Sequence, residues 1–137
     1  MERVEEVKRW LMQSLRDLKA ANDSLRNSNY EWACFQAQQA AEKAVKALLY
    51  YHGLSAWGHS VVELLNYLRG KEVINEELYV AARELDRHYI PSRYPNAFES
   101  GYPGMYYDEP TARSALNASK SIIDWVRTRL RSLGVIT

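Results

Sequence analysis

The sequence predicts an all-α protein: an up-and-down bundle of about five helices with a long tyrosine- and proline-rich loop before the last one. Three observations carry this. All four prolines, at 91, 95, 103 and 110, fall inside one stretch of twenty residues, so the strongest helix breaker is absent elsewhere. On both sides of that stretch apolar residues recur at steps of three, four or seven, the period of a helix with one buried face. No alternating apolar and polar run is long enough to signal a strand.

In the first helix the stripe is Val4, Val7, Leu11, Leu15, Leu18 and Leu25, and Asn27-Ser28-Asn29 interrupts it. Ser28 with Glu31 predicts a capping box that opens the second helix, which runs to Tyr51 and stops at Gly53. So short a turn forces the two helices into an antiparallel hairpin. Ser60 with Glu63 predicts a second capping box, ahead of Val61, Leu64, Leu65 and Leu68, and Gly70 ends that helix. Asn75 caps a fourth helix, with Glu76 and Glu77 where the dipole favours negative charge. Its inner face is Leu78, Ala81, Ala82, Leu85 and Tyr89, and Pro91 ends it near Tyr89. Asp108 caps the last helix, striped by Ala112, Ala115, Ser119, Ile122, Val126, Leu130 and Leu133 and closed by Gly134.

With 137 residues, 47% hydrophobic and 26% charged, the chain is expected to form a single helical domain over 1–137. One cysteine, Cys34, excludes a disulfide framework and any CxxC site, and suits a small core residue. None of the three histidines follows a Glu by three positions, so a di-iron carboxylate site is excluded. Phosphate-loop, dinucleotide and nucleophile-elbow motifs are missing too, and neither metal nor cofactor is expected. Apolar runs are too short for a membrane span, and the opening Met-Glu-Arg-Val-Glu-Glu has no signal core, so a cytoplasmic location is expected. A net charge of +1 means that any phosphate binding must come from a local patch.

Residues 92–107, SRYPNAFESGYPGMYY, make a connection longer than most helix–helix loops. Its aromatic content predicts a lid packed over the end of the bundle, with Arg93 and Tyr94 placed to fork onto phosphate and stack on a base. His59 sits at a helix N-terminus, where anions are attracted. His52 lies at a helix C-terminus, a structural position, and Lys43 and Lys46 read as solvated charges, with Glu42 and Lys46 an i,i+4 pair. Arg127, Arg129 and Arg131 complement the dipole of the last helix.

Three segments go further: Phe35 to Leu49 with its QQAAEKAVKALL run, His59 to Leu65 (HSVVELL) and Leu85 to Pro95 with its YIPSRYP turn. In that order they resemble the HEPN family of small helical nucleotide-binding domains, over nearly the whole chain. The resemblance implies an up-and-down bundle that forms a homodimer. It also implies a minimal nucleotidyltransferase as partner, in a toxin–antitoxin-like two-component module that binds nucleotide or RNA. Active toxins of the family are metal-independent endoribonucleases built on Arg-x4-6-His, with two copies meeting across the dimer. Here that motif falls on Arg83 and His88, with Glu84 where the ribonuclease members usually carry Asn or Asp. The resemblance also puts His59 in one groove with Arg93, and His59, Arg87, Arg93 and Tyr94 are the expected nucleotide or RNA contacts. Two alternatives stand beside this. Residues five apart on a helix are turned about 140° from each other, which makes Arg83 and Arg87 a solvated face and His88 a cap on the last turn. The plainest reading is a helical interaction module with no small ligand.

Overall fold

The computed structural model describes residues 2–137. Six α-helices occur among them: α1 (Glu2–Arg26), α2 (Tyr30–Tyr51), α3 (Val61–Leu68), α4 (Glu76–Asp86), α5 (Pro103–Tyr106) and α6 (Glu109–Ser132). The five expected helices are α1 to α4 and α6. The sixth, α5, is a single turn inside the long loop, which also holds a 3₁₀ turn at Pro95–Ala97.

α1 and α2 form the expected antiparallel hairpin. Its pairings run in opposite order along the two helices: Ser24 with Gln36, Lys43 with Asp17, and Trp10 stacked on Tyr50. Residues 52–60 then climb back along α2, because the carbonyl of His59 accepts from Gln38 in the first half of that helix. α3 therefore runs in the same direction as α2, α4 returns, and α6 runs beside α2 in parallel. The parallel sense shows in two contacts, Ser119 on Ala37 and Arg129 on Glu72, which also holds His52.

α2 is the centre of the core. Ala33, Ala37, Ala40, Ala41, Ala44 and Ala47 are all fully buried, and such small side chains let α1 and α6 approach closely. Two buried serines mark that approach. The Ser14 hydroxyl donates to Ala40 O at 2.6 Å and the Ser119 hydroxyl to Ala37 O at 2.7 Å. Around this axis pack Val7, Leu11, Leu64, Leu65, Leu68, Leu85, Ile122, Val126 and Leu130. The outer rows of the predicted stripe, Val4, Leu15, Leu18, Leu25 and Leu133, are only partly buried.

The caps divide. Ser60, Asn75 and Asp108 accept from the backbone N–H groups of Glu63, Leu78 and Thr111 as expected. Ser28 does not cap α2. It takes φ 62°, and Ser28 N–H and Asn29 N–H bond back to Leu25 O and Ser24 O, so it is the left-handed residue that closes α1. Asn29 takes the N-cap position of α2 without a side-chain bond. Gly53 and Gly134 end α2 and α6 by the same pattern of bonds. α4 ends at Asp86, earlier than Tyr89, and the chain continues to Arg93 as overlapping turns. The backbone nitrogen of Pro91 has no hydrogen with which to prolong the ladder.

Candidate functional site

One end of the bundle gathers most of the residues singled out above. Its organising group is the Asp86 carboxylate, at the last turn of α4. It accepts from Val61 N–H (2.9 Å), Val62 N–H (3.0 Å), the Ser60 hydroxyl (3.0 Å) and Gln38 Nε2 (3.2 Å). A carboxylate thus sits on the two leading amides of α3, where the helix dipole and the unpaired N–H groups both favour it. Behind it runs a polar chain, buried at Gln38, Glu42 and Lys46. Gln39 donates to Gln38 Oε1 and Glu42 Oε1; Glu42 pairs with Lys46 at 3.2 Å; and His59 Nδ1 lies 3.1 Å from Glu42 Oε1. Lys46 is not a solvated charge: it is 7% exposed, with its ammonium over the Trp10 ring. Lys43 is held too, by Asp17 at 2.6 Å. No buried side-chain polar atom lacks a partner among the described residues.

His59 and Arg93 are brought together, by Tyr89. The His59 ring stacks on Tyr89 at 5.1 Å, and the Arg93 guanidinium lies 4.7 Å from the same ring. Arg93 is also 4.2 Å from Phe35 and 5.0 Å from Tyr94. Two of its five donors, Nε–H and one Nη2–H, go to Tyr89 O at 2.9 and 2.6 Å. Most of the His59 side chain is exposed, and so is Tyr94. The result is a surface strip of imidazole, phenol, guanidinium and phenol, not an enclosed groove.

Arg83 and His88 part company. Arg83 is exposed and pairs with Glu76 on its own helix. His88 turns toward the last helix, its Nδ1 2.9 Å from the Tyr107 hydroxyl and its ring edge-on to Tyr107. Burial lowers the His88 pKa below the ordinary histidine value; the charge of Glu84 opposes this and that of Arg87 adds to it. Within one chain the arginine beside His88 is Arg87, and the two line an open cleft of about 450 Å³ with Glu84, Pro110, Thr111 and Ser114. Periodicity could not find Tyr107, nineteen residues away across the loop.

The loop is a lid in part. Pro103 is buried, Tyr107 half-buried, and Phe98 stacks on Tyr106 at 4.3 Å, but Tyr102, Met105 and Tyr106 stay exposed. Cys34 is buried as expected, and burial pushes its thiol up to about 12. No three metal-ligating side chains cluster among the described residues, nor is any helix there long and apolar enough to cross a membrane.

Six helices and no strand among the described residues, with an Ala-rich central helix and a polar end built around α3 and α4, define a class of small helical bundle domains. Residues 7–129 match the HEPN domain, and the chain belongs to that family. Solved structures agree. TT1696 from Thermus thermophilus is 41% identical with a TM-score of 0.89, over 91% of this chain and 98% of that one. ST0689, an archaeal HEPN homologue, is 38% identical with a TM-score of 0.79 over the same shares. An HEPN domain protein of Thermotoga maritima is 36% identical with a TM-score of 0.73, over 90% and 98%. A Methanocaldococcus jannaschii protein named "Putative toxin MJ1304" is 23% identical over 134 residues, 91% of this chain and 88% of that one.

Proposed function

We propose that residues 1–137 act as one HEPN domain of the toxin type: a homodimer that holds RNA or nucleotide at the loop end of its bundle and works beside a minimal nucleotidyltransferase. The observation that carries this is the strip of His59, Tyr89, Arg93 and Tyr94. Exposed rings offer stacking faces to bases, and a guanidinium with three donors not engaged by Tyr89 offers a fork to phosphate. The relative named as a toxin supports the toxin-like half of the reading. Titrating short single-stranded RNA and ATP, each followed by fluorescence anisotropy, tests it. Tyr94→Ala removes an exposed ring and is expected to weaken binding roughly tenfold. Equal affinity in both proteins would sink the strip as the binding surface.

A second reading is a metal-independent endoribonuclease using His88, favoured by the half-buried ring lining a cleft with Arg87. Arg83, paired with Glu76, belongs to that site only if a second copy supplies it across the dimer. RNA cleavage in EDTA that survives His88→Ala would eliminate this reading.

A further inference from the structure

His88 meets its surroundings through two nitrogens with different fates. Nδ1 faces the Tyr107 hydroxyl at 2.9 Å, while Nε2 has no hydrogen-bond partner among the described residues and the ring lines the cleft of Glu84, Arg87, Thr111 and Ser114. Which nitrogen carries the proton decides what the ring can do there. The Tyr107 hydroxyl has no other hydrogen-bond partner among the described residues, so the Nδ1 lone pair is the one protein acceptor in its reach.

We infer that Tyr107 is a positioning residue: by donating its O–H to Nδ1 it fixes His88 as the Nε2–H tautomer, which leaves a hydrogen-bond donor on the ring that lines the cleft. Burial works in the same direction on both partners, since it keeps the Tyr107 hydroxyl protonated and the His88 ring neutral. The ligand this suits is a phosphate oxygen, which accepts from Nε2–H beside the charge of Arg87, with Thr111 and Ser114 lining the same cleft and the Glu84 carboxylate opposing any anion there. A ring so fixed cannot take a proton at Nε2, so His88 would serve RNA as an anchor and charge stabiliser and not as the base that activates a 2′-hydroxyl. This use of the donor rests on the RNA reading above; the tautomer does not.

Long-range ¹H–¹⁵N NMR of the intact protein, recorded where the ring is neutral, reads both nitrogens directly. The expected spectrum of wild type has protonated Nε2 and bare Nδ1, and Tyr107→Phe, which keeps the ring and loses the hydroxyl, shows a mixture of tautomers. Protonated Nδ1 in wild type, or an unchanged spectrum in Tyr107→Phe, overturns the role of Tyr107. The same samples titrated with short single-stranded RNA separate the two claims. Nε2 should shift on binding; His88→Ala should weaken affinity roughly tenfold, and His88→Gln, which restores a side-chain N–H donor, should recover most of that loss. A wild type that binds no RNA overturns the proposed function while the tautomer is still decided. Recovery that fails in His88→Gln, with cleavage lost, overturns the donor in favour of a base.

Discussion

Glu72 lies between α3 and α4, yet its carboxylate, 3% exposed, is held at 2.7 Å by His52 from the end of α2 and at 2.6 Å by Arg129 from α6. Replacing it with Ala leaves the Arg129 guanidinium and the His52 ring without their acceptor. Arg129 is over a third exposed and recovers part of that loss in water, so the expected destabilisation is about 2 kcal/mol, read from urea unfolding. Nothing in the local pattern reveals this clasp. Glu72 and Arg129 stand 57 residues apart, and a Glu after a helix-ending glycine reads as an ordinary surface charge. Cys34 carries a pH prediction. Its folded pKa, about 12, lies above the unfolded value, so the folded state keeps a proton that the unfolded state releases first. The contribution is whole below pH 9 and is lost as pH rises toward 12. Unfolding free energy at pH 10 should therefore fall by about 1 kcal/mol through Cys34, and most of that fall should be absent in Cys34→Ala, the buried Tyr107 hydroxyl contributing the rest.

At the scale of elements, the two polar positions that open and close helices behave differently, and each invites a test. Asp86 covers the first two amides of α3 from another helix, a bond invisible to a reading that pairs Ser60 with Glu63. Asp86→Ala should lower stability by about 2 kcal/mol and speed amide exchange at Val61 and Val62 ahead of the rest of α3. Exchange unaltered at those two amides would contradict the assignment. Ser28 is the reverse case, a cap residue by type that closes the helix before it. In the left-handed region a side chain is strained, so Ser28→Gly should raise stability by about 0.5 kcal/mol, measured by thermal unfolding. The helices themselves were legible because burial imposes a 3.6-residue period on each stripe, and three of the predicted caps were legible because their partners lie within three residues. Ser28 was not, since Asn-Ser-Asn serves a helix end as well as a helix start, and only the chain's path decides.

For the whole molecule, charge and shape together would restrict how RNA is held under the proposed function. The net charge is +1, and the loop end offers two arginines, Arg87 and Arg93, near the candidate surfaces. Few phosphates are neutralised by so few cations. The logarithm of RNA affinity should fall with the logarithm of salt at a slope of about −1 to −2, measured from about 50 to 200 mM, far shallower than for a basic nucleic-acid groove. Sequence reasoning pointed to the loop end of the molecule because Arg93, Tyr94 and His59 announce themselves by type, and the structure brings His59 and Arg93 onto one ring. It could not foresee that Tyr89 would be their common contact, or that Arg83 would leave His88 to Arg87.

The alanine row along α2 has a consequence beyond close packing. A spindle gripped so tightly by its neighbours, whose serine hydroxyls are spent on its own carbonyls, has no slack along its axis to admit a guest. New chemistry in this architecture must arise at its rim, where side chains can be exchanged without prising the shaft apart.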